Sequence, residues 1–171
     1  VWRQADKYGV PKIAFVNKMD RVGADFFRVI DMMRNRFHSI PIPVQIPVGS
    51  EDTFRGVIDL IAQKMFLWDD NTQGAEYRTE DIPSEYAEAA AHERERMIET
   101  LADCDDELAE LYLSGEALGA AQVRDFVAGE HRRGATVDTR DRERPEVLGL
   151  VLRDAPPGPA GRDEHGGLAV V

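Results

Sequence analysis

Apolar residues change spacing several times along this chain, and each spacing predicts a different element. Ile13, Ala14, Phe15 and Val16 close a nearly unbroken apolar run over residues 10–16, entered through Pro11 and Lys12. Short continuous runs of this kind are typical of a strand buried on both faces of a parallel sheet. Residues 2–8 read as the last turns of a helix, with Gly9 where a left-handed cap is usual. Helix, tight turn and buried strand in series form the second half of a βαβ unit. From residue 24 to 37 the period lengthens. Phe26, Val29, Ile30, Met33 and Phe37 recur at steps of three and four, which is one face of an amphipathic helix. Arg28, Arg34 and Arg36 lie on its wetter side, and Pro41 and Pro43 end it.

Between residues 42 and 68 the pattern alternates. Val44, Ile46 and Val48 are interleaved with Gln45 and Pro47, and residues 57–61 and 64–68 are rich in β-branched and aromatic side chains. Gly49-Ser50-Glu51-Asp52 and residues 69–74 carry turn chemistry. These signals predict a small antiparallel sheet, with Pro43 and Pro47 on an edge or at irregular positions. A long acidic helix follows Pro83, with Ser84 as its N-cap. Tyr86, Ala90, Met97 and Leu101 form its apolar face, and Glu88, Glu95, Glu99 and Asp103 face solvent. A second helix is predicted over 105–113, closing at Ser114-Gly115, and a weaker third over 120–127. After Gly129 the chain turns to Arg, Asp, Glu, Gly and Pro, with a breaker cluster at 156–159. Val147–Leu152 is the one credible strand there. The rest reads as poorly packed.

Composition narrows the function class. The 171 residues carry 21 basic and 32 acidic side chains, a formal charge of −11. That balance argues against a direct nucleic-acid footprint, which needs clustered Lys and Arg. Cys104 is the single cysteine, so neither an intrachain disulfide nor a cysteine-based zinc site can form. His38, His92, His131 and His165 share no metal-ligand spacing. No metal site is predicted, and the cysteine usage fits a reducing compartment. No apolar stretch approaches the ~20 residues of a membrane helix.

Candidate chemistry concentrates in Asn17-Lys18-Met19-Asp20, which sits between the predicted buried strand and the amphipathic helix. An N-K-x-D loop in that setting can read guanine. Guanine presents its N1 proton and 2-amino group together, and one carboxylate can accept from both. Adenine lacks that donor pair and would leave the carboxylate unpaired, at a cost of roughly 1–3 kcal/mol or more once buried. Asp20 is the candidate reader. Asn17 can meet the base edge and brace neighbouring loops. Lys18 can lay its aliphatic stem over the base plane while its ammonium stays wet, and Met19 is expected in the core. Ligands bind open α/β sheets at the carboxyl ends of such strands. The alternative reading is a polar loop in which Asp20 caps the next helix.

The phosphate side of such a site is not evident. The sequence has no G-x-x-x-x-G-K-[ST] loop, and no Mg²⁺-binding aspartate or water-positioning residue in a recognisable setting. Those parts carry phosphoryl transfer, so no catalytic residue is assigned. Asp69-Asp70 and Asp105-Asp106 could bind a cation but read as turn and helix-start residues. Cys104 has no evident histidine partner and reads as a packed small residue. Trp2 and Trp68 read as core or hairpin anchors.

The strings KIAFVNKMDRVGADF (12–26), PIPVQIPVGSEDTFRGVIDLIAQKMFLWDD (41–70) and GAEYRTEDIP (74–83) resemble bacterial translation elongation factor G over its base-reading region and the start of its inserted subdomain. The resemblance extends over about residues 1–118. It implies an α/β fold: a partial P-loop GTPase domain, with a parallel sheet and flanking helices, carrying an α+β inserted subdomain. By that resemblance 1–40 is the C-terminal part of the GTP-binding domain, 41–128 the inserted subdomain, and 129–171 a divergent, poorly ordered tail. The implied ligand is GTP or GDP, read by Asn17, Lys18 and Asp20, and held weakly or not at all by this chain alone. Mg²⁺ is expected only in the complete parent domain. The implied setting is the cytoplasm and the implied partner the ribosome, including the large-subunit stalk protein through residues 41–128. The implied activity of the parent is translocation driven by GTP hydrolysis. Two departures stand out. The phosphate loop and switch regions are missing, and no Ser-Ala pair follows the apolar run at 147–152. A truncated or frame-shifted copy is therefore expected. The alternatives are a non-catalytic module docking on the stalk protein, or a non-functional remnant.

Overall fold

The first apolar run pairs in parallel with a distant segment and buries one face, Ala14 and Val16, while Ile13 and Phe15 are half-buried rather than buried as expected. The computed structural model describes residues 4, 7–8, 12–37, 40–68, 77–103, 105–133, 147–152 and 168–170. Strand β1 (Ile13–Val16) leads to helix α1 (Phe26–Phe37) and strand β2 (Ile40–Pro43). Strands β3 (Gln45–Val48), β4 (Gly56–Asp59), β5 (Lys64–Trp68) and β6 (Tyr77–Glu80) follow. Helices α2 (Ser84–Ala102), α3 (Asp106–Leu113) and α4 (Ala120–Arg133) come next, then strands β7 (Val147–Leu152) and β8 (Leu168–Val170).

One sheet has the order β2-β7-β1-β8. β7 runs parallel to both neighbours, with Val16 opposite Leu152 and Pro43 opposite Leu150. β8 runs antiparallel to β1, placing Phe15 opposite Ala169. The second sheet is an antiparallel meander, β3-β4-β5-β6. Pro41 and Pro43 lie on β2 and Pro47 on β3, each the terminal strand of its sheet. A residue without an N–H is tolerated there, because the outer side of an edge strand needs no ladder bond. Gly56 lets β4 approach β5 closely: a Cβ there would stand 2.1 Å from the Phe66 carbonyl oxygen.

Helix α1 buries Phe26, Ile30 and Met33 along the predicted face, and Phe37, at the end of the same face, is 36% exposed. Helix α2 buries Ala90, Met97 and Leu101 as expected and also Glu93, which accepts from Arg96 at 3.1 Å. Ser84 does not cap it. The helix begins at Ser84 itself, and Pro83 holds the N-cap position without a side-chain bond, its fixed φ of −62 leading straight into the first turn. Asp105, by contrast, is a helix-start residue as predicted, its Oδ1 accepting from the Leu108 N–H at 3.0 Å. Leu108 of α3 and Val123 of α4 complete the core against α2.

Strand β2 pairs with β7 rather than with the antiparallel sheet. Beyond residue 128 the described residues form the end of α4, the strand β7 at the apolar run expected to be one, and β8. The short apolar runs Val147–Leu152 and Leu168–Val170 suffice to fill open pairing positions beside β1, although the residues around them are polar.

Candidate functional site

The 17–20 loop leaves β1 at the carboxyl end of the parallel pair β1–β7. Lys18 sits in the left-handed region at φ 63, a conformation that costs a residue with a Cβ roughly 1–2 kcal/mol. Local bonds hold it. The Lys18 N–H donates to Asn17 Oδ1 at 2.7 Å, and the Lys18 carbonyl accepts from the Arg21 N–H at 3.2 Å. Met19 is 4% exposed and anchors the loop in the core, as expected. Asn17 and Lys18 are half-buried.

Asp20 stands apart from this packing. Its side chain is 62% exposed, with Arg21 Nε 3.8 Å away. It does not cap the following helix. Asp25 does, accepting from the Arg28 N–H through Oδ1 at 3.0 Å. Capping needs the carboxylate three residues before the donor it accepts from, and Asp20 is too far upstream. The Asp20 carboxylate is thus left at the strand's end, facing solvent.

A residue from the antiparallel sheet completes the neighbourhood. Glu51, in the 3₁₀ turn Glu51–Thr53 between β3 and β4, donates its N–H to the Met19 carbonyl at 3.0 Å. Its Oε1 accepts from the Gly23 N–H at 2.7 Å. Arg28 Nη2 donates to the Gly23 carbonyl at 2.9 Å. The sequence marks Glu51 only as one member of a polar turn. No local spacing links it to a loop 28 residues away.

Glu88, Glu95, Glu99 and Asp103 are exposed on α2. Glu99 accepts from the Tyr112 hydroxyl at 2.8 Å, a bond that pushes the phenol above its usual range. Trp68 packs beside Phe54 with ring centroids 6.2 Å apart. Trp2, His38, Asp69, Asp70, Cys104 and His165 lie outside the described residues. Among the described residues no group of three His, Cys, Asp or Glu could hold a metal ion, and no helix is long and apolar enough to cross a membrane.

Residues 1–110 match the family described as the elongation factor Tu GTP binding domain. Over 123 residues the chain is 54% identical to Elongation factor G 2 of Syntrophus aciditrophicus (strain SB). That match covers 72% of this chain and 18% of the relative, so the chain spans about a fifth of the relative's length. A crystal structure from Thermus thermophilus shares the fold with a TM-score of 0.68 at 22% identity, over 90% of this chain and 21% of that one. The family match takes in β1, the 17–20 loop, the antiparallel sheet and α2. The chain therefore belongs to the family of the elongation factor Tu GTP binding domain, the GTP-binding domain of translational GTPases.

Proposed function

We propose that the 17–20 loop reads a guanine base. Asp20 accepts from the base N1–H and 2-amino group, Asn17 meets the base edge, and Lys18 covers the base plane with its stem. The observation that carries this reading is the Asp20 carboxylate, exposed at the carboxyl end of a parallel strand and released from capping by Asp25. The left-handed turn at Lys18 supports it, since residues held in sparsely populated backbone regions cluster at ligand sites. The ligand is GTP or GDP, bound weakly by this chain, because the sequence supplies no phosphate loop to hold the charged part of the nucleotide. Mg²⁺ belongs to the complete parent domain, and no hydrolytic step is assigned to the residues of this chain.

In the cell this chain represents part of an elongation-factor-G-like translational GTPase, acting in the cytoplasm on the ribosome during translocation. Within residues 41–128 the antiparallel sheet and helices α2–α4 correspond to the inserted α+β subdomain, and the exposed acidic face of α2 is its contact surface for the large-subunit stalk protein. Purified stalk protein should then lose affinity when Glu88, Glu95 and Glu99 are reversed to Lys.

Isotope-labelled chain titrated with millimolar guanosine tests the reading of the base. Amides of residues 17–23 should shift with guanosine and stay put with adenosine, and Asp20→Ala should abolish the response. Equal shifts with both nucleosides, or none with either, would sink the assignment.

A further inference from the structure

We propose that Glu51 is a positioning residue that sets the conformation of the guanine-reading loop from the antiparallel sheet. The proposal rests on the assignment of Asn17, Lys18 and Asp20 to the base. Glu51 holds the loop at two points, through its N–H at the Met19 carbonyl and through its carboxylate at the Gly23 N–H. Those points bracket residues 20–22, so the backbone of Asp20 is fixed from both sides by one residue.

The loop needs such a brace. Lys18 at φ 63 and Gly23 at φ 82 both occupy the left-handed region, and residues 20–23 are exposed. Such conformations persist where the surroundings over-determine them. Glu51 itself sits at φ 52, in a turn closed by its own bonds. The Thr53 N–H and hydroxyl donate to the Ser50 carbonyl at 3.0 and 2.6 Å, and the Arg55 N–H donates to the Val48 carbonyl at 3.1 Å. On the far side Arg28 Nη2 ties the Gly23 carbonyl to helix α1 at 2.9 Å. The reader loop is therefore suspended between α1 and the β3–β4 turn. A carboxylate that must accept two donors from one base edge depends on being held in place before the base arrives. Glu51 supplies that hold without reaching the base, and it makes the reader's geometry depend on the antiparallel sheet.

The test compares Glu51→Ala with Glu51→Gln in the 171-residue chain, using amide hydrogen exchange and guanosine titration. Glutamine keeps an acceptor for the Gly23 N–H, and alanine does not. In the alanine variant the Gly23 amide should exchange about tenfold faster or more, as loss of a charge-assisted bond predicts. Guanosine affinity should fall by a comparable factor, with Val57 and Phe66 in β4 and β5 unchanged. The glutamine variant should stay close to wild type in both. Unchanged Gly23 exchange in the alanine variant would overturn the proposal, as would a glutamine variant as impaired as alanine. If wild type fails to distinguish guanosine from adenosine, the base assignment falls by itself. The exchange comparison still decides whether Glu51 braces the loop.

Discussion

A Cβ on Gly49 would stand 2.1 Å from the Thr53 carbonyl oxygen, and the residue sits at φ 79. Gly49→Ala therefore meets both a backbone clash and a left-handed strain. It should lower stability by about 2 kcal/mol or more, read from the shift of a urea midpoint at constant slope. The two aspartates of the reader region separate in the same assay. Asp25→Ala removes a helix cap and should cost about 1 kcal/mol. Asp20→Ala touches only an exposed side chain and should stay within about 0.5 kcal/mol while losing the guanosine response. One carboxylate caps a helix and the other stands exposed beside Arg21. The sequence offered Asp20 for either role. The bond from Arg28 to Asp25 takes the capping role away from Asp20.

Helix α2 is joined to its surroundings by Arg94 more than by its acidic face. The guanidinium donates through Nη1 to the Leu60 carbonyl and, at 3.2 Å, to that of Ile61, and through Nη2 to the Leu118 carbonyl at 2.9 Å. Burial lowers its pKa and the Asp59 charge partly opposes that. Arg94→Met leaves these carbonyls without their donor and should destabilise the chain by about 2–4 kcal/mol. Arg94→Lys should not rescue it, since one ammonium cannot span the fork. A charged contact joins the start of β5 to the residue that follows β6. Lys64 Nζ donates to Asp81 Oδ1 at 2.5 Å, and this bond, reinforced by the lysine charge and slightly opposed by burial, holds the Asp81 carboxyl below its ordinary 3.8. With the folded pKa depressed, the contribution is present above the unfolded pKa. It fades as pH falls through the lower folded value. Carboxyl NMR should find Asp81 titrating below 3.8, and Lys64→Met should return it toward that value. Element types were legible here from period alone, as with Phe26, Ile30 and Met33 on α1. The partners of Arg94 were not, because backbone carbonyls leave no mark in a sequence pattern.

At the scale of the molecule, β7 is the strand that joins β1 to β2, which do not pair with each other. Removing everything after residue 133 takes away β7 and β8 together. Amides of Ala14 and Phe15 should then lose exchange protection, while Val57 and Phe66, paired within the other sheet, keep theirs. Retained protection at Ala14 would mean that β1 is held by something other than its sheet.

What the sequence by itself determined is local. The apolar run of β1, the three-and-four spacing of α1, the edge prolines and the N-K-x-D loop all follow from residues near one another in the chain. Periodicity and turn chemistry act over a few residues, so they can be read there. The tertiary structure alone decided that Val147–Leu152 completes the parallel sheet, that Asp20 faces solvent, and that Glu51 reaches across to hold the loop. Each depends on segments far apart in the chain meeting in space, and strand pairing and cross-loop hydrogen bonds fix that meeting through backbone groups that every residue shares.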